Sequence, residues 1–77
     1  MFYLKTELYS KEDGDKTISW SGYKIYKDAY DEMTARHGVF LKKGTNKKET
    51  FITDVKSEIH KKNGDYYIFQ ICKEIDE

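Results

Sequence analysis

The feature that most constrains the fold is a pair of strand-like segments on either side of Asn63-Gly64. Residues 51–60 alternate in polarity with a period of two, and residues 66–72 are almost continuously apolar or aromatic. Asn-Gly between two such segments is typical of a two-residue type I′ hairpin turn. The sequence therefore predicts a long antiparallel hairpin in the C-terminal half of the chain.

This turn also predicts the register, because pairing continues outward from the residues that flank it. With Lys62 opposite Asp65, Ile59 lies opposite Ile68 on the face that we expect to receive a helix. The other face then carries the large side chains of the last strand, beside charged residues of the preceding strand. Those large side chains are Tyr67, Phe69 and Ile71.

We expect these three side chains to belong to a partner-binding surface that also includes Tyr3 and Trp20. Tyr9 is an alternative to Tyr3 from the first strand. Tyrosine and tryptophan are enriched at protein interfaces, which favours this interpretation. The competing interpretation is that residues 16–25 fold back and cover the same face, so that the aromatic side chains belong to the core.

The N-terminal half predicts one strand, one uncertain segment and one helix. Phe2 to Tyr9 alternates in polarity, as in a strand with one buried face. Residues 17–21 alternate more weakly, which fits either a short strand or an extended loop. Apolar residues then recur at helical spacing over 26–37, and Gly38 has the place of the left-handed residue that ends many helices.

These elements together predict an α+β fold. We expect one domain over residues 1–77, with a three- to four-stranded antiparallel sheet and one helix packed on one face, in the order β(β)αββ. A chain of 77 residues builds only a thin core. Seven tyrosines, four phenylalanines and one tryptophan must therefore supply much of its apolar area.

The composition argues against several functional classes. The net charge is zero, with 14 basic and 14 acidic residues, so overall charge does not favour a nucleic-acid-binding protein. One cysteine permits no internal disulfide and fits a cytoplasmic protein. The apolar runs are too short to span a membrane. Two histidines and one cysteine are too few for a structural zinc site, and no glycine-rich phosphate loop is present, so we expect no metal and no cofactor.

Catalytic chemistry also lacks a convincing residue pattern. A cysteine–histidine dyad needs both side chains within hydrogen-bond reach, and the predicted register puts Cys72 and His60 on opposite faces. Cys72 with His37 of the helix is geometrically conceivable, but a buried, inert cysteine is the favoured interpretation. We therefore expect that the protein is not an enzyme.

Nucleic-acid binding remains the main alternative. Residues 36–62 hold eight basic and three acidic residues, which is a local excess of +5. Lysine side chains in the loop 42–48 and at the hairpin tip 61–62 are suited to phosphate contacts. The residues concerned are Lys42, Lys43, Lys47, Lys48, Lys61 and Lys62.

The function that the sequence favours is a small non-catalytic protein-binding module. Its size and composition are typical of inhibitors that phages or mobile elements direct at host defence proteins, such as anti-CRISPR proteins. The predicted partner is another protein, and a homodimer would also cover the aromatic face.

Overall fold

The computed structural model describes residues 1–42 and 47–73. They form an α+β fold with one helix and a five-stranded antiparallel sheet. The elements, in chain order, are β1 (Phe2–Ser10), β2 (Asp15–Tyr23), α1 (Tyr26–Lys42), β3 (Lys47–Ile52), β4 (Lys56–Lys61) and β5 (Tyr66–Cys72). In the part of the chain described, no helix is both long and apolar enough to span a membrane.

The order of strands across the sheet is β2-β1-β5-β4-β3. The hairpin β1–β2 and the three-stranded meander β3–β4–β5 meet where β1 pairs antiparallel with β5. Because β2 and β3 are the two edges, α1 runs between opposite sides of the sheet and packs across one face. The prediction of three to four strands was therefore too low, while the fold class and the single packed helix are confirmed.

The hairpin between β4 and β5 has a three-residue turn rather than the predicted two-residue turn. The Lys61 amide donates to the Asp65 carbonyl at 2.9 Å, and the Gly64 amide donates to the Lys61 carbonyl at 3.1 Å. Gly64 has φ +101°, whereas Asn63 has a negative φ, so the type I′ geometry is excluded. Ile59 consequently pairs with Tyr67, and the predicted register was wrong by one residue.

A one-residue slip moves every side chain of β5 to the other face relative to β4. Phe69 and Ile71 therefore lie on the same face as Ile59, beneath α1, and both are buried. The prediction had placed them on the opposite face. The face away from the helix, where Phe69 and Ile71 were predicted, instead carries Ile68 and Gln70.

The predicted strand over residues 51–60 is two strands, because a tight turn interrupts it at residues 53–55. The Thr53 amide donates to the Lys56 carbonyl at 2.7 Å. The Thr53 hydroxyl accepts from the amides of Val55 and Lys56 at 3.3 and 3.0 Å. Threonine stabilises turns through such local bonds, and the polarity alternation continues through the turn without marking it.

The helix extends beyond Gly38 because the residues that follow continue its packed face. Phe40 lies three positions after His37, and its ring centroid is 4.8 Å from that of Tyr67 and 5.6 Å from that of Phe69. Gly38 has no positive φ and does not end the helix. The predicted end at residue 37 was therefore five residues too early, since this packing outweighs the low helix propensity of one glycine.

The core lies between α1 and the centre of the sheet. Leu4, Ala29, Met33 and Phe69 are completely buried, and Ile71 is nearly so. Further aromatic rings close its margins, among them Phe2, Tyr23, Tyr26, Tyr30, Phe40 and Tyr67. The expectation that a thin core would use large aromatic side chains is confirmed.

Residues 15–23 do not fold back over the sheet, because they form β2 and extend it. β2 pairs with β1 through nine consecutive residues without a register shift. The sequence left open whether residues 16–25 form a strand or a covering segment. Most of that segment is strand. The face of the sheet opposite α1 gains no cover from it.

We predict that Phe69→Ala lowers the free energy of unfolding by about 3–5 kcal/mol, because it removes a completely buried ring from the core. A chain of this size has roughly 4–12 kcal/mol of stability, so much of the folded population would be lost. Phe51→Ala is the matched control, since Phe51 is 53% exposed. Its effect should be about 1 kcal/mol or less.

Urea denaturation followed by circular dichroism measures both variants under the same conditions. Equal losses of stability in the two proteins would contradict the assignment of Phe69 to the core and Phe51 to the surface.

Candidate functional site

The face of the sheet opposite α1, here called the open face, is the main candidate surface. Side chains on the other face contact the helix: Arg36 donates to the Thr6 hydroxyl at 2.8 Å, and Phe40 packs on Phe69. Alternation along each strand then places the neighbouring residues on the open face. Strand pairing aligns these residues in rows that run across the sheet.

Three of these rows contain most of the charged and aromatic side chains of the open face. We name them the basic row, the acidic row and the aromatic row. Read from β2 towards β3, the basic row is Trp20, Lys5, Gln70 and Lys56; the acidic row is Ile18, Glu7, Ile68, Glu58 and Phe51; and the aromatic row is Lys16, Tyr9, Tyr66, His60 and Glu49.

The aromatic row is held together by ring contacts. Tyr9 and Tyr66 stack with centroids 4.9 Å apart and planes inclined by 18°. His60 lies on the other side of Tyr66, with centroids 5.9 Å apart. The hydrogen bond with the Glu7 carboxylate raises the pKa of Tyr66 above its usual value, which keeps the phenol protonated. The row therefore presents a preorganised aromatic surface.

The charged side chains of the open face also find partners within it. Glu58 lies 3.0 Å from His60 Nε2 and 3.5 Å from Lys56 Nζ. The hydrogen bond with His60 lowers the pKa of Glu58 below its usual value. Lys5 Nζ lies over the Trp20 ring, 5.7 Å from its centroid. Cations and anions are thus interleaved across the face.

The face has no net charge and retains exposed apolar groups. Its rows contain three lysines and three glutamates. Ile18 and Phe51, at the two ends of the acidic row, are 47% and 53% exposed. Aromatic groups of this kind are enriched at protein interfaces, whereas lysine and glutamate are depleted there.

The structure divides the predicted partner-binding residues between the two faces. Tyr3 and Trp20 lie on the open face, and the Tyr3 ring packs over Gly22 of β2. Phe69 is 0% exposed and Ile71 8% exposed, so both are core residues rather than surface residues. Tyr67 also lies on the helix face, beside Phe40. The three misplaced residues all belong to β5, whose register was mispredicted.

The sequence analysis left the residues at the centre of the open face out of the predicted site. Tyr66, Ile68 and Glu7 occupy that centre, with Tyr9 beside them. The period-two alternation of β5 does indicate that Tyr66 and Ile68 share a face. Only the length of the turn at Gly64 decides which face it is, and Asn-Gly is compatible with two- and three-residue turns.

The basic segments predicted for nucleic-acid binding approach one another at one end of the sheet. Lys47 of β3 is the register partner of Lys61 of β4. Lys42 ends α1, and Lys62 is exposed in the adjoining turn. Lys61 Nζ lies 5.2 Å from the centroid of the Tyr67 ring. Lys43 lies outside the described residues, and Lys48 is placed in β3 by its backbone.

The cysteine and the two histidines are not arranged as a dyad. Cys72 and His60 share the open face, contrary to the prediction, but six residues of strand separate Cys72 from the register partner of His60. That separation is about 20 Å. His37 lies on the helix face, where its Nε2 is 3.0 Å from the Thr50 hydroxyl.

A shallow depression of about 380 Å³ at one end of the sheet collects three carboxylates, Asp13, Asp15 and Asp65. Asp65 accepts from the Lys11 amide at 2.9 Å and so joins the two hairpin turns. The Ser10 hydroxyl lies 3.4 Å from Asp13. Among residues 1–42 and 47–73, no group of three or more histidine, cysteine or acidic side chains is arranged to hold a metal ion.

Comparisons with protein-family models, curated proteins and solved structures find no match for this chain. The functional interpretation therefore rests on the geometry of the described residues.

Within residues 1–42 and 47–73, His37 is the titratable group most enclosed by the fold. Its side chain is 8% exposed, and its Nδ1 is buried without a hydrogen-bond partner among the described residues. Desolvation lowers the pKa of His37 below its usual 6.5. In the unfolded chain the imidazole binds a proton below pH 6.5, while in the folded protein it stays neutral to lower pH. Protonation consequently favours the unfolded state in that interval.

We predict that the free energy of unfolding is largest above pH 6.5 and decreases as the pH falls from 6.5 towards the lowered pKa of His37. His37→Gln should flatten the curve in this interval, and His60→Gln, on the open face, is the matched control that should retain it. Urea midpoints between pH 7.5 and 5.5 measure the effect. The Glu58 contribution is lost only below its unfolded pKa of 4.5, outside this range. A flat wild-type curve, or an equal slope in His37→Gln, would contradict the prediction.

Proposed function

We propose that this chain is a small non-catalytic protein-binding module that acts through the open face of its sheet. The observation that carries the proposal is the combination of stacked aromatic rings, exposed Ile18 and Phe51, and interleaved charges on a face that α1 does not cover. Preorganised aromatic side chains lose little conformational entropy on binding, so they suit a surface that must contribute affinity.

The balance of charge favours a protein partner over a nucleic acid. A surface that follows a phosphate backbone carries an excess of lysine and arginine. On the open face each charged row is matched: Lys5 and Lys56 lie beside Glu7 and Glu58. Polyanions would be repelled by the acidic row, whereas a protein surface with alternating charges can complement both rows.

The more specific proposal is that the module inhibits a host defence protein on behalf of a phage or mobile element, as anti-CRISPR proteins do, and that it acts in the cytoplasm. Small size, high aromatic content and a single cysteine support it. A rigid sheet face that binds and occludes a partner needs no chemistry of its own. Two of the three carboxylates of the depression at the end of the sheet, Asp13 and Asp65, are engaged in stabilising turns, which agrees with a non-catalytic role.

Site-specific photocrosslinking tests the proposed surface. We expect benzoylphenylalanine at Tyr3 or Gln70, both on the open face, to form covalent adducts with a protein when the chain is added to a lysate of its source cells. The matched control carries the same group at Val39, which is 54% exposed on the outer side of α1. Its adduct yield should be at background.

Competition makes the test specific for the face. An excess of unlabelled wild type should suppress the adducts, while an excess of Ile68→Lys should not. Ile68 lies between Glu7 and Glu58 in the acidic row, so a lysine there gains opposite charges and is compatible with folding, but it removes the central apolar contact. Equal yields from Val39, or adducts with nucleic acid alone, would overturn the proposal.

A nucleic-acid-binding module remains the second candidate, because the register brings the two basic segments together at Lys47 and Lys61. Lys42 and the exposed Lys62 approach the same end of the sheet. Lysines from a helix end, a strand and a turn would then form one local phosphate site, separate from the open face.

We predict that the chain shows no saturable binding to a mixed-sequence single-stranded oligonucleotide at physiological salt. Fluorescence anisotropy with a labelled oligonucleotide, repeated over a salt series, measures this. The second candidate would be favoured by saturable binding that Lys61→Ala with Lys62→Ala weakens. Its association constant should fall with salt, the logarithm decreasing by about 0.7 per phosphate contact for each tenfold increase in salt concentration. The same double substitution should leave the photocrosslinks from Tyr3 unchanged.

A further inference from the structure

The outer edge of β2 is long, regular and without charge over most of its length. β2 pairs with β1 through nine consecutive residues and has no bulge. Residues 17–23 contain no charged side chain and no proline. As the terminal strand in the sheet order, β2 directs alternate amides and carbonyls outward. An edge of this kind is a template for pairing with another strand.

The other edge of the same sheet has the protection that β2 lacks. β3 is six residues long, and three of its residues, Lys47, Lys48 and Glu49, are charged. Its register with β4 shifts between Lys47 and Glu49, as at a β-bulge. Short length, charges and bulges are the features by which proteins prevent edge-to-edge pairing. The protein therefore blocks pairing at β3 and leaves β2 available.

We propose that β2 pairs antiparallel with β2 of a second copy, which joins two sheets into one of ten strands. A two-fold axis between antiparallel strands is perpendicular to the sheet, so the open faces of both copies lie on the same side. The axis must then pass midway between one residue of β2 and the same residue in the other copy. Only the register centred on Ser19 pairs all nine residues of β2 with their copies in the partner.

The side chains of β2 are complementary to themselves in this register. Ile18 of each copy lies opposite Trp20 of the other on the open face, which brings the exposed Ile18 side chain into contact with the half-buried Trp20 ring. Thr17 lies opposite Ser21 on the helix face. Lys16 lies opposite Gly22, so no like charges face each other. A register centred on Trp20 would instead oppose Lys16 and Lys24, which disfavours it.

The pairing also extends the rows of the open face. The acidic row of one copy ends at Ile18, and the basic row of the other copy begins at Trp20. The acidic row of each copy is thereby continued by the basic row of the other copy, and the two-fold symmetry produces this junction twice. This continuity of the rows comes from the order of residues on β1 and β2 alone, and it is independent of the partner proposed for the open face.

The edges of two nine-residue strands are a small contact, so we expect a weak, concentration-dependent dimer. Sedimentation velocity of the wild type from about 10 μM to about 1 mM should show a monomer that converts to a dimer. Ser19→Lys and Ser19→Glu each place like charges opposite each other at the axis and should raise the dissociation constant about three- to tenfold. An equimolar mixture of the two variants should restore association to the wild-type level or above.

Val39→Lys is the control, since it adds the same charge on the outer side of α1 and should not change association. Arg36 donates to Thr6 and Ser21 near the substituted position, so circular dichroism must show that each Ser19 variant is folded. A wild type that stays monomeric, or a dimer that Ser19→Lys leaves unchanged, would overturn the proposal.

Hydrogen exchange of the wild type gives a second measurement that needs no substitution. The outward amides of β2 should exchange more slowly as concentration rises, while those of β3 stay unchanged. Protection at β3, or none at β2 in a sample that has dimerised, would refute pairing at this edge. Photocrosslinking from Tyr3 and Gln70 reports on the open face separately, so failure of one proposal is distinguishable from failure of the other.

Discussion

The turn at Gly64 determines which side chains of this protein are inside. Its φ of +101° is accessible to glycine and strained for other residues. A side chain there would also crowd Lys11 of the neighbouring hairpin turn. Because the turn has three residues, Phe69 and Ile71 join Leu4 on the helix face. The core, the length of α1 that Phe40 anchors, and the composition of the open face all follow from this register.

This dependence explains what the sequence could and could not predict. Local periodicity was sufficient for the existence of β1, of the helix and of the C-terminal hairpin, because each alternates or repeats over several residues. The turn lengths depended on single residues. Thr53 divides one predicted strand into two through four hydrogen bonds that involve Lys56 and Val55. No period in the sequence marks that change.

The sequence left two alternatives for the aromatic face of the sheet: it was uncovered, or residues 16–25 folded back over it. Residues 15–23 form β2 instead of a cover, and Tyr3 and Trp20 lie on the open face. Phe69 was expected there and is instead the most deeply buried aromatic residue. The error and the correction have the same origin: adjacent positions of β5, such as Ile68 and Phe69, are both apolar. With two apolar faces, a strand carries no internal signal of which face meets the helix.

The two faces of the sheet differ in a way that bears on function. Where α1 packs, the buried positions are apolar or small apart from His37, as a core requires. On the open face, Ile18, Ile68 and Phe51 alternate with Glu7 and Glu58 across neighbouring strands. A face that only met solvent would not need stacked tyrosines and exposed aliphatic ends, while a permanently buried face would not contain so many carboxylates and ammonium groups. Alternation of this kind suits a surface that is hydrated when free and desolvated only against a partner of complementary charge. The unprotected edge at β2 adds to this, because pairing there would double the area of the face without changing its chemistry.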